Sequence, residues 1–236
     1  MPDAKKVFSQ IVEDPHPKKL AVFDLDSTLF GVSSRSQAIL RDLVSDPHFK
    51  SRYPEAAEKI ATIELSEKEW GIKKAIFALG LKEEPGLFQF AKEFWGKHFF
   101  SNDYLIHDRP YPGTLEYVKG LEEAGIDIYY LTGRDEPNMR TGTIEILEKW
   151  GFPTESHEER LHMKPHKGHS LDEDYKSDRF KEFLKGDEKV WFFENEPVII
   201  HRVLEDHPEI NIIYIDTVHS GRAEAPAGLP VINWGL

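Results

Sequence analysis

The stretch Leu20–Phe30, LAVFDLDSTLF, decides how the rest of the chain is read. Leu20, Ala21, Val22 and Phe23 form a short apolar run, the pattern of a strand buried on both faces. Two acids follow, Asp24 and Asp26, with one apolar residue between them and Ser27 and Thr28 after them. In extended backbone, residues two apart point the same way, so both carboxylates can face one small volume. Burying unpaired carboxylates is expensive, so acids directly after a core strand call for a compensating charge. A divalent cation at the carboxyl edge of a parallel sheet would supply it, and ligand sites of open α/β sheets lie at that edge. Taken alone, a DxD string also suits a strand running into a solvated acidic turn, and the more distant segments have to decide between the two.

A chain of 236 residues can bury a substantial core, as one domain or as one domain carrying an insertion. Hydrophobic residues at 39% indicate a globular protein, and charged residues at 31% a well-solvated surface. The formal net charge of −12 repels nucleic-acid phosphates, so nucleic acid is not an expected partner. With no cysteine there is neither a disulfide nor a thiolate metal site. The first nineteen residues hold no apolar stretch of secretory-signal length, and no run approaches the ~18 consecutive apolar residues of a membrane span. A cytoplasmic protein with no membrane partner is expected.

Residues 3–13 place Val7, Phe8, Ile11 and Val12 on one side of a short helix, stopped by Asp14-Pro15-His16-Pro17. A strand is expected over 19–25. From 32 to 108 the apolar residues recur at helical spacing and no buried strand is evident. Within this stretch Ser66 and Glu69 make an S-x-x-E capping box ahead of Trp70, Ile72, Ala75 and Ile76, with Gly80 as the stop. The α/β rhythm resumes with a helix ending at Gly125, a strand Ile126–Leu131 running into a Thr132-Gly133-Arg134-Asp135 turn, and a helix up to Gly151. A short strand at Arg160–Lys164, a helix over 172–185, a strand Val190–Phe193, a helix Val198–Leu204 and a strand Ile210–Ile215 complete the pattern. The tail after Asp216 is expected to be irregular. Alternating strands and helices call for a three-layer α/β/α, Rossmann-like core with a parallel sheet and right-handed crossovers. That core would comprise 1–31 and 109–236, with a helical cap at 32–108 inserted after the first strand.

Phe23-Asp24-Leu25-Asp26-Ser27-Thr28 resembles the hhhDxDx(T/V) signature of the haloacid dehalogenase-like phosphohydrolases. The further motifs of that superfamily find counterparts in order: Thr132 with Gly133 and Arg134 after the second strand, Lys176 near the start of a later helix, and Glu194-Asn195-Glu196-Pro197 after VWFF in place of the usual D-D-x-P. The resemblance covers about Lys19 to Asp216 and implies a Mg²⁺-dependent phosphatase with a helical cap of the C1 type. It implies Asp24 as the nucleophile that forms an aspartyl-phosphate, and Asp26 as the acid and base. Thr132, Gly133, Arg134 and Lys176 would bind the phosphoryl group. The magnesium would be held by Asp24, the backbone carbonyl of Asp26, and Glu194, with Asn195 or Glu196 in place of the second acid. Thr132, Lys176 and Glu194 have plain structural readings as well, as an N-cap, a surface lysine and a member of an ordinary salt bridge, and Lys164 and Lys181 compete for the lysine role. His162, His166 and His169 lie close in sequence without acid partners and are read as ordinary histidines.

The chemistry asks for these residue types, since a nucleophile approaching a phosphate dianion needs charge neutralisation. A small phosphorylated metabolite is the expected substrate, because a cap closing over the site admits only what fits beneath it. Arg35, Arg52, Lys73 and Lys74 are the cap cations in line to meet an anionic substrate. Two alternatives stand beside hydrolysis: phosphoryl transfer by a phosphomutase of the same fold, and a non-catalytic binding protein in which Asn195 marks an eroded metal site.

Overall fold

Strand β1 (Lys19–Phe23) lies in the interior of a six-stranded sheet, hydrogen-bonded on one side to β4 (Asp127–Asp135) and on the other to β6 (Lys189–Glu194), both parallel to it. This is a computed structural model, which describes residues 2–82, 84–155, 157–184 and 186–235. The alternation along β1 explains the apolar run. Ala21 and Phe23 enter a cluster with Val7, Ile11, Val118 and Ile146, whereas Leu20 and Val22 enter another with Phe180, Ile200 and Val203. Every position after Lys19 is buried, so polar residues at alternate sites would have been left without partners.

The chain order of the remaining elements is simple. Strand β2 (Phe30–Gly31) follows the catalytic-loop candidate, and β3 (Arg109–Pro110) pairs antiparallel with it. Strands β5 (Leu161–Lys164), β7 (Asn211–Ile215) and β8 (Val231–Ile232) complete the sheet in the order β5-β4-β1-β6-β7-β8. Helices α1 (Pro2–Val12), α2 (Ser33–Leu43), α3 (Pro47–Arg52), α4 (Pro54–Ile60), α5 (Lys73–Ala78), α6 (Leu87–Phe99) and α7 (Asn102–Leu105) come first. They are followed by α8 (Thr114–Glu123), α9 (Glu136–Trp150), α10 (His157–Arg160), α11 (Asp172–Phe183) and α12 (Pro197–Asp206). Residues of α1, α8 and α9 pack on one face of the sheet and residues of α11 and α12 on the other, which gives the three-layer α/β/α architecture. Among the described residues no helix is long and apolar enough to cross a membrane.

Helices α2 to α7 lie between the two short strands β2 and β3, as the helical periodicity of 32–108 predicts. Residues 40–91 contribute a hydrophobic cluster of their own, with Leu40, Phe49, Ile60, Ile76 and Leu87 among its members.

Four local expectations are corrected. The first strand stops at Phe23, because the Leu25 carbonyl accepts from the backbone N–H groups of Thr28, Leu29 and Phe30 and turns the chain, with Ser27 at φ 62°. The Ser66 capping box does not start a helix. Ser66 Oγ accepts from the Lys68 backbone N–H at 3.2 Å within a turn, Gly71 at φ 62° breaks the run, and α5 begins only at Lys73. Thr132, Gly133 and Arg134 lie inside β4 rather than in a turn after it, over a register shift between Leu131 and Asp135. The tail is not wholly irregular: Val231 and Ile232 form β8 on β7, and Trp234 is 1% exposed. Helix α11 ends at Phe183, and Lys185, the expected end, lies outside the described residues.

Candidate active site

The carboxyl ends of β1, β4 and β6 meet at one point, and the side chains there are charged and buried. Asp24 is 4% exposed, Lys176 2%, Thr132 1%, and Glu194 is fully buried. Lys176, on α11, donates from Nζ to Asp24 Oδ1 at 2.5 Å and to Glu194 Oε2 at 2.7 Å. The other Glu194 oxygen, Oε1, accepts the backbone N–H groups of Asn195 and Glu196, each at 2.9 Å. These groups line a cleft of about 510 Å³ that opens toward the helices of residues 33–105.

Burial raises the carboxyl pKa of Asp24, with Lys176 opposing and the Asp26 charge assisting. Burial likewise pushes Glu194 up to about 8, although Lys176 opposes it, and the negative charge of Asp24 adds to the rise. Burial works against the Lys176 ammonium too, but its two carboxylate partners outweigh that and raise its pKa. One ammonium between two buried carboxylates therefore leaves this pocket short of positive charge.

Asp26 sits beside this group in different company. Arg134 donates to Asp26 Oδ1 from Nε at 3.1 Å and again from Nη2, and Arg35 on α2 donates to it from Nη2 at 2.9 Å. Both guanidiniums also bind Asp108: Arg35 from Nε at 2.7 Å and from Nη2, Arg134 from Nη2 at 2.8 Å. Arg134 further donates to Thr143 Oγ1 at 3.1 Å. Arg35 and Asp108 are both fully buried. Burial works against the Asp26 charge, but the two guanidiniums prevail and hold its carboxyl below the usual range.

Residues 89–193 match the model of the HAD superfamily, subfamily IIIB (acid phosphatase). The matched span carries Thr132–Arg134 and Lys176 and stops one residue short of Glu194. Over that span, less than half of the chain, the sequence is similar to the haloacid dehalogenase-like superfamily. The match also supports phosphatase activity. Among solved structures, a structural characterisation of protein tyrosine kinase A of Mycobacterium tuberculosis superposes with a TM-score of 0.58 at 16% identity, over 92% of this chain and 93% of that one. A putative phosphatase from Clostridium difficile superposes with a TM-score of 0.52 at 13% identity, over 84% and 85% of the two chains. These likenesses are ones of fold. No curated protein matches the sequence significantly.

The structure places the sequence candidates differently from one another. Asp24, Lys176, Glu194 and Thr132 converge on the cleft, and Gly133 lines it with them. A Cβ on Gly133 would lie 2.8 Å from Asp172 Oδ2, so glycine is what lets that carboxylate approach. Lys164 does not compete with Lys176: its Nζ binds the Ser170 carbonyl and Asp172 Oδ1 at 2.8 Å. Lys181 pairs with Asp178 on the helix surface. Arg134 lines the cleft but spends its donors on Asp26, Asp108 and Thr143.

The cations of residues 32–108 are placed differently from expectation. Arg35 is buried in ion pairs, and Arg52, Lys73 and Lys74 do not line the cleft. What residues 32–108 turn toward it is aromatic at Trp70, Trp95, Phe99 and Phe100 and acidic at Glu67 and Glu69. Asn195 engages both ends of its amide, accepting from Thr28 Oγ1 at 3.1 Å and donating to the Val218 carbonyl at 2.7 Å. Glu196 is buried and accepts from Ser220 twice, through its backbone N–H and its hydroxyl. Sequence reasoning missed Asp108 altogether. A lone acid before Arg109-Pro110 carries no motif, and only the fold brings it to Arg35, 73 residues away.

Proposed function

We propose that the protein is a Mg²⁺-dependent phosphatase that hydrolyses monoesters of a small phosphorylated metabolite through an aspartyl-phosphate on Asp24. The observation that carries this reading is Lys176 bridging Asp24 Oδ1 and Glu194 Oε2 at the carboxyl edge of the sheet, beneath an enclosed cleft. A nucleophilic carboxylate held by an ammonium can receive a phosphoryl group without facing its dianion unaided.

The donor set fits a hard divalent cation. Among the described residues no three His, Asp or Glu side chains converge as a metal site by themselves. The carboxylates of Asp24 and Glu194 with the Asp26 carbonyl form a set of hard oxygens of the kind magnesium accepts, water completing its shell. The charge shortage of the pocket, visible in the raised pKa values of Asp24 and Glu194, is the deficit such an ion offsets. When bound, it neutralises phosphoryl charge.

The chain's own groups divide the remaining work. Asp24 attacks phosphorus and carries the phosphoryl group. Lys176 holds Asp24 in place and, with Thr132 and the Gly133 backbone, faces the non-bridging oxygens. Asp26 gives a proton to the leaving oxygen, the harder step for a carboxyl held ionised by two guanidiniums, and later takes one from the water that attacks the acyl-phosphate. Arg134 and Arg35 orient Asp26 rather than the phosphoryl group. Residues 32–108 act as a cap that excludes water and bulky esters, turning Trp70, Trp95, Phe99 and Phe100 together with Glu67 and Glu69 toward the leaving group.

Phosphate release from a panel of phosphorylated metabolites, with and without Mg²⁺, tests the activity. Asp24→Asn is expected to lower turnover by about a thousand-fold or more with an unchanged circular dichroism spectrum. Acid quenching of the wild type should trap an acyl-phosphate on the peptide containing Asp24. An Asn variant with full activity would refute the assignment, and rephosphorylation of product in place of phosphate release would make the protein a transferase.

A further inference from the structure

The cleft has a wall that no regular element supports. Between the end of β7 at Ile215 and the start of β8 at Val231, the chain runs without helix or strand, yet Val218, Ser220 and Arg222 line the same cleft as Asp24 and Lys176. Backbone bonds tie its ends, at Asp216 and Pro230, to the sheet, and between them residues 217–222 are attached through side chains. Asn195 Nδ2 donates to the Val218 carbonyl at 2.7 Å. Glu196 accepts the Ser220 backbone N–H at Oε2, 2.9 Å, and the Ser220 hydroxyl at Oε1, 2.8 Å. Thr217 Oγ1 donates to the Ser27 carbonyl, and Arg222 donates to Glu173 at 3.1 Å.

We propose that Asn195 and Glu196 are positioning residues whose task is to hold the 217–222 segment as the wall of the leaving-group site. The inference rests on the phosphatase reading for what the wall contacts, but not for how the wall is held. It explains why an amide stands where the resembled motif has an acid. Thr28 donates to the Asn195 oxygen, and the Asn195 nitrogen must donate in the opposite direction, to a carbonyl. An aspartate has no N–H to offer and would set a carboxylate against the Val218 carbonyl, an arrangement of two acceptors that must separate. Glu196 grips a backbone N–H and a hydroxyl of the same residue, which fixes Ser220 in both position and rotation. The wall so held presents an apolar side chain, a hydroxyl and a guanidinium to whatever alcohol leaves the phosphorus.

The full chain carrying Asn195→Asp, Glu196→Ala or Glu196→Gln provides the test, with amide hydrogen exchange over 216–224, p-nitrophenyl phosphate kinetics and a Mg²⁺ titration. Asn195→Asp and Glu196→Ala should speed exchange of the segment by about ten-fold or more. They should raise KM by about five-fold or more, with the smaller effect in kcat and an unchanged half-saturating Mg²⁺ concentration. Glu196→Gln keeps an acceptor for Ser220 and should restore most of both. Asn195→Asp lowering the Mg²⁺ requirement with unaltered exchange would assign Asn195 to the cation and overturn the proposal. A fall in kcat at constant KM would overturn it as well. Should these variants fail to fold, Ser220→Ala removes only a hydroxyl on the loop, and unchanged exchange and KM in that variant would be equally decisive. Exchange is read whether or not the protein turns over substrate, so absence of phosphatase activity would remove the proposed function and leave this anchoring test intact.

Discussion

Asp26 carries the heaviest chemical constraint in the site. Two guanidiniums keep it ionised, which suits a base that takes a proton from water and disfavours an acid that must give one to a leaving group. Esters whose alcohol departs without a proton should therefore be hydrolysed fastest. The ratio of rates on p-nitrophenyl phosphate and an alkyl phosphate should be large, and Arg35→Met, which removes one guanidinium, should reduce it by about ten-fold. The ratio is independent of how much variant is folded, and an unchanged ratio would free Asp26 from this control. His162 offers a separate reading of pH. Burial and the Arg179 charge hold its imidazole down to about 4, from an ordinary value of 6.5, and its ring is packed on Phe183 and Tyr129. Between those values the unfolded chain binds the proton and the folded chain does not, so stability rises with pH across the window and is lost on acidification. The contribution at neutral pH is up to about 3 kcal/mol. Urea midpoints of His162→Phe should fall less between pH 7 and pH 4.5 than those of the wild type, and equal falls would show that His162 does not set the slope.

Helices α7 and α9 meet where glycine is required by distance. A Cβ at Gly142 would stand 2.7 Å from the Asn102 carbonyl oxygen, and the Gly142 N–H donates to Asn102 Oδ1, also at 2.7 Å. Gly142→Ala gains about 1 kcal/mol of helix propensity but forces two backbones apart, an overpacking penalty of about 1–3 kcal/mol, so a net loss is expected. Thermal unfolding should show a lower midpoint, and a higher one would mean that α7 yields freely. Elements of this kind mark how far the sequence could be read. Buried strands were legible because Leu20–Phe23, Val190–Phe193 and Ile212–Ile215 are continuous apolar runs, and the site motifs because each follows such a run. Start points inside residues 32–108 were not, since Gly71 moved the start of α5 past a sound capping box. Strand β8 was hidden because two residues with no periodicity pair only through an existing neighbour. The direction of the Asn195 and Glu196 side chains was hidden for a similar reason: it depends on a loop more than twenty residues away.

Across the whole molecule, the helices between β2 and β3 are joined to the sheet by charge as well as by chain. Arg35 from α2 and Arg134 from β4 share Asp108 and Asp26, two positive groups against two negative ones. Asp108→Asn breaks that balance inside the protein, and removing one member of a buried set costs about 3–5 kcal/mol. Urea unfolding should show the loss, and a variant as stable as the wild type would mean that water already reaches the cluster. On the proposed division into core and cap, replacing 32–108 by a short linker should leave a folded core with slow, indiscriminate activity on aryl phosphates. Failure of the remainder to fold would make those helices part of the core. The connection between the two ends of the chain has a different consequence. Trp234 Nε1 donates to the carbonyl of Thr28 at 2.9 Å, a bond between residues 206 apart in sequence, and β1 has no sheet partner before β4. A ribosome that has made the Asp24–Thr28 loop must still deliver about two hundred residues before the indole that binds its Thr28 carbonyl emerges. During synthesis this loop therefore gains its support late, and a nascent chain stalled anywhere short of Trp234 would hold its acidic residues without the indole donor to the Thr28 carbonyl.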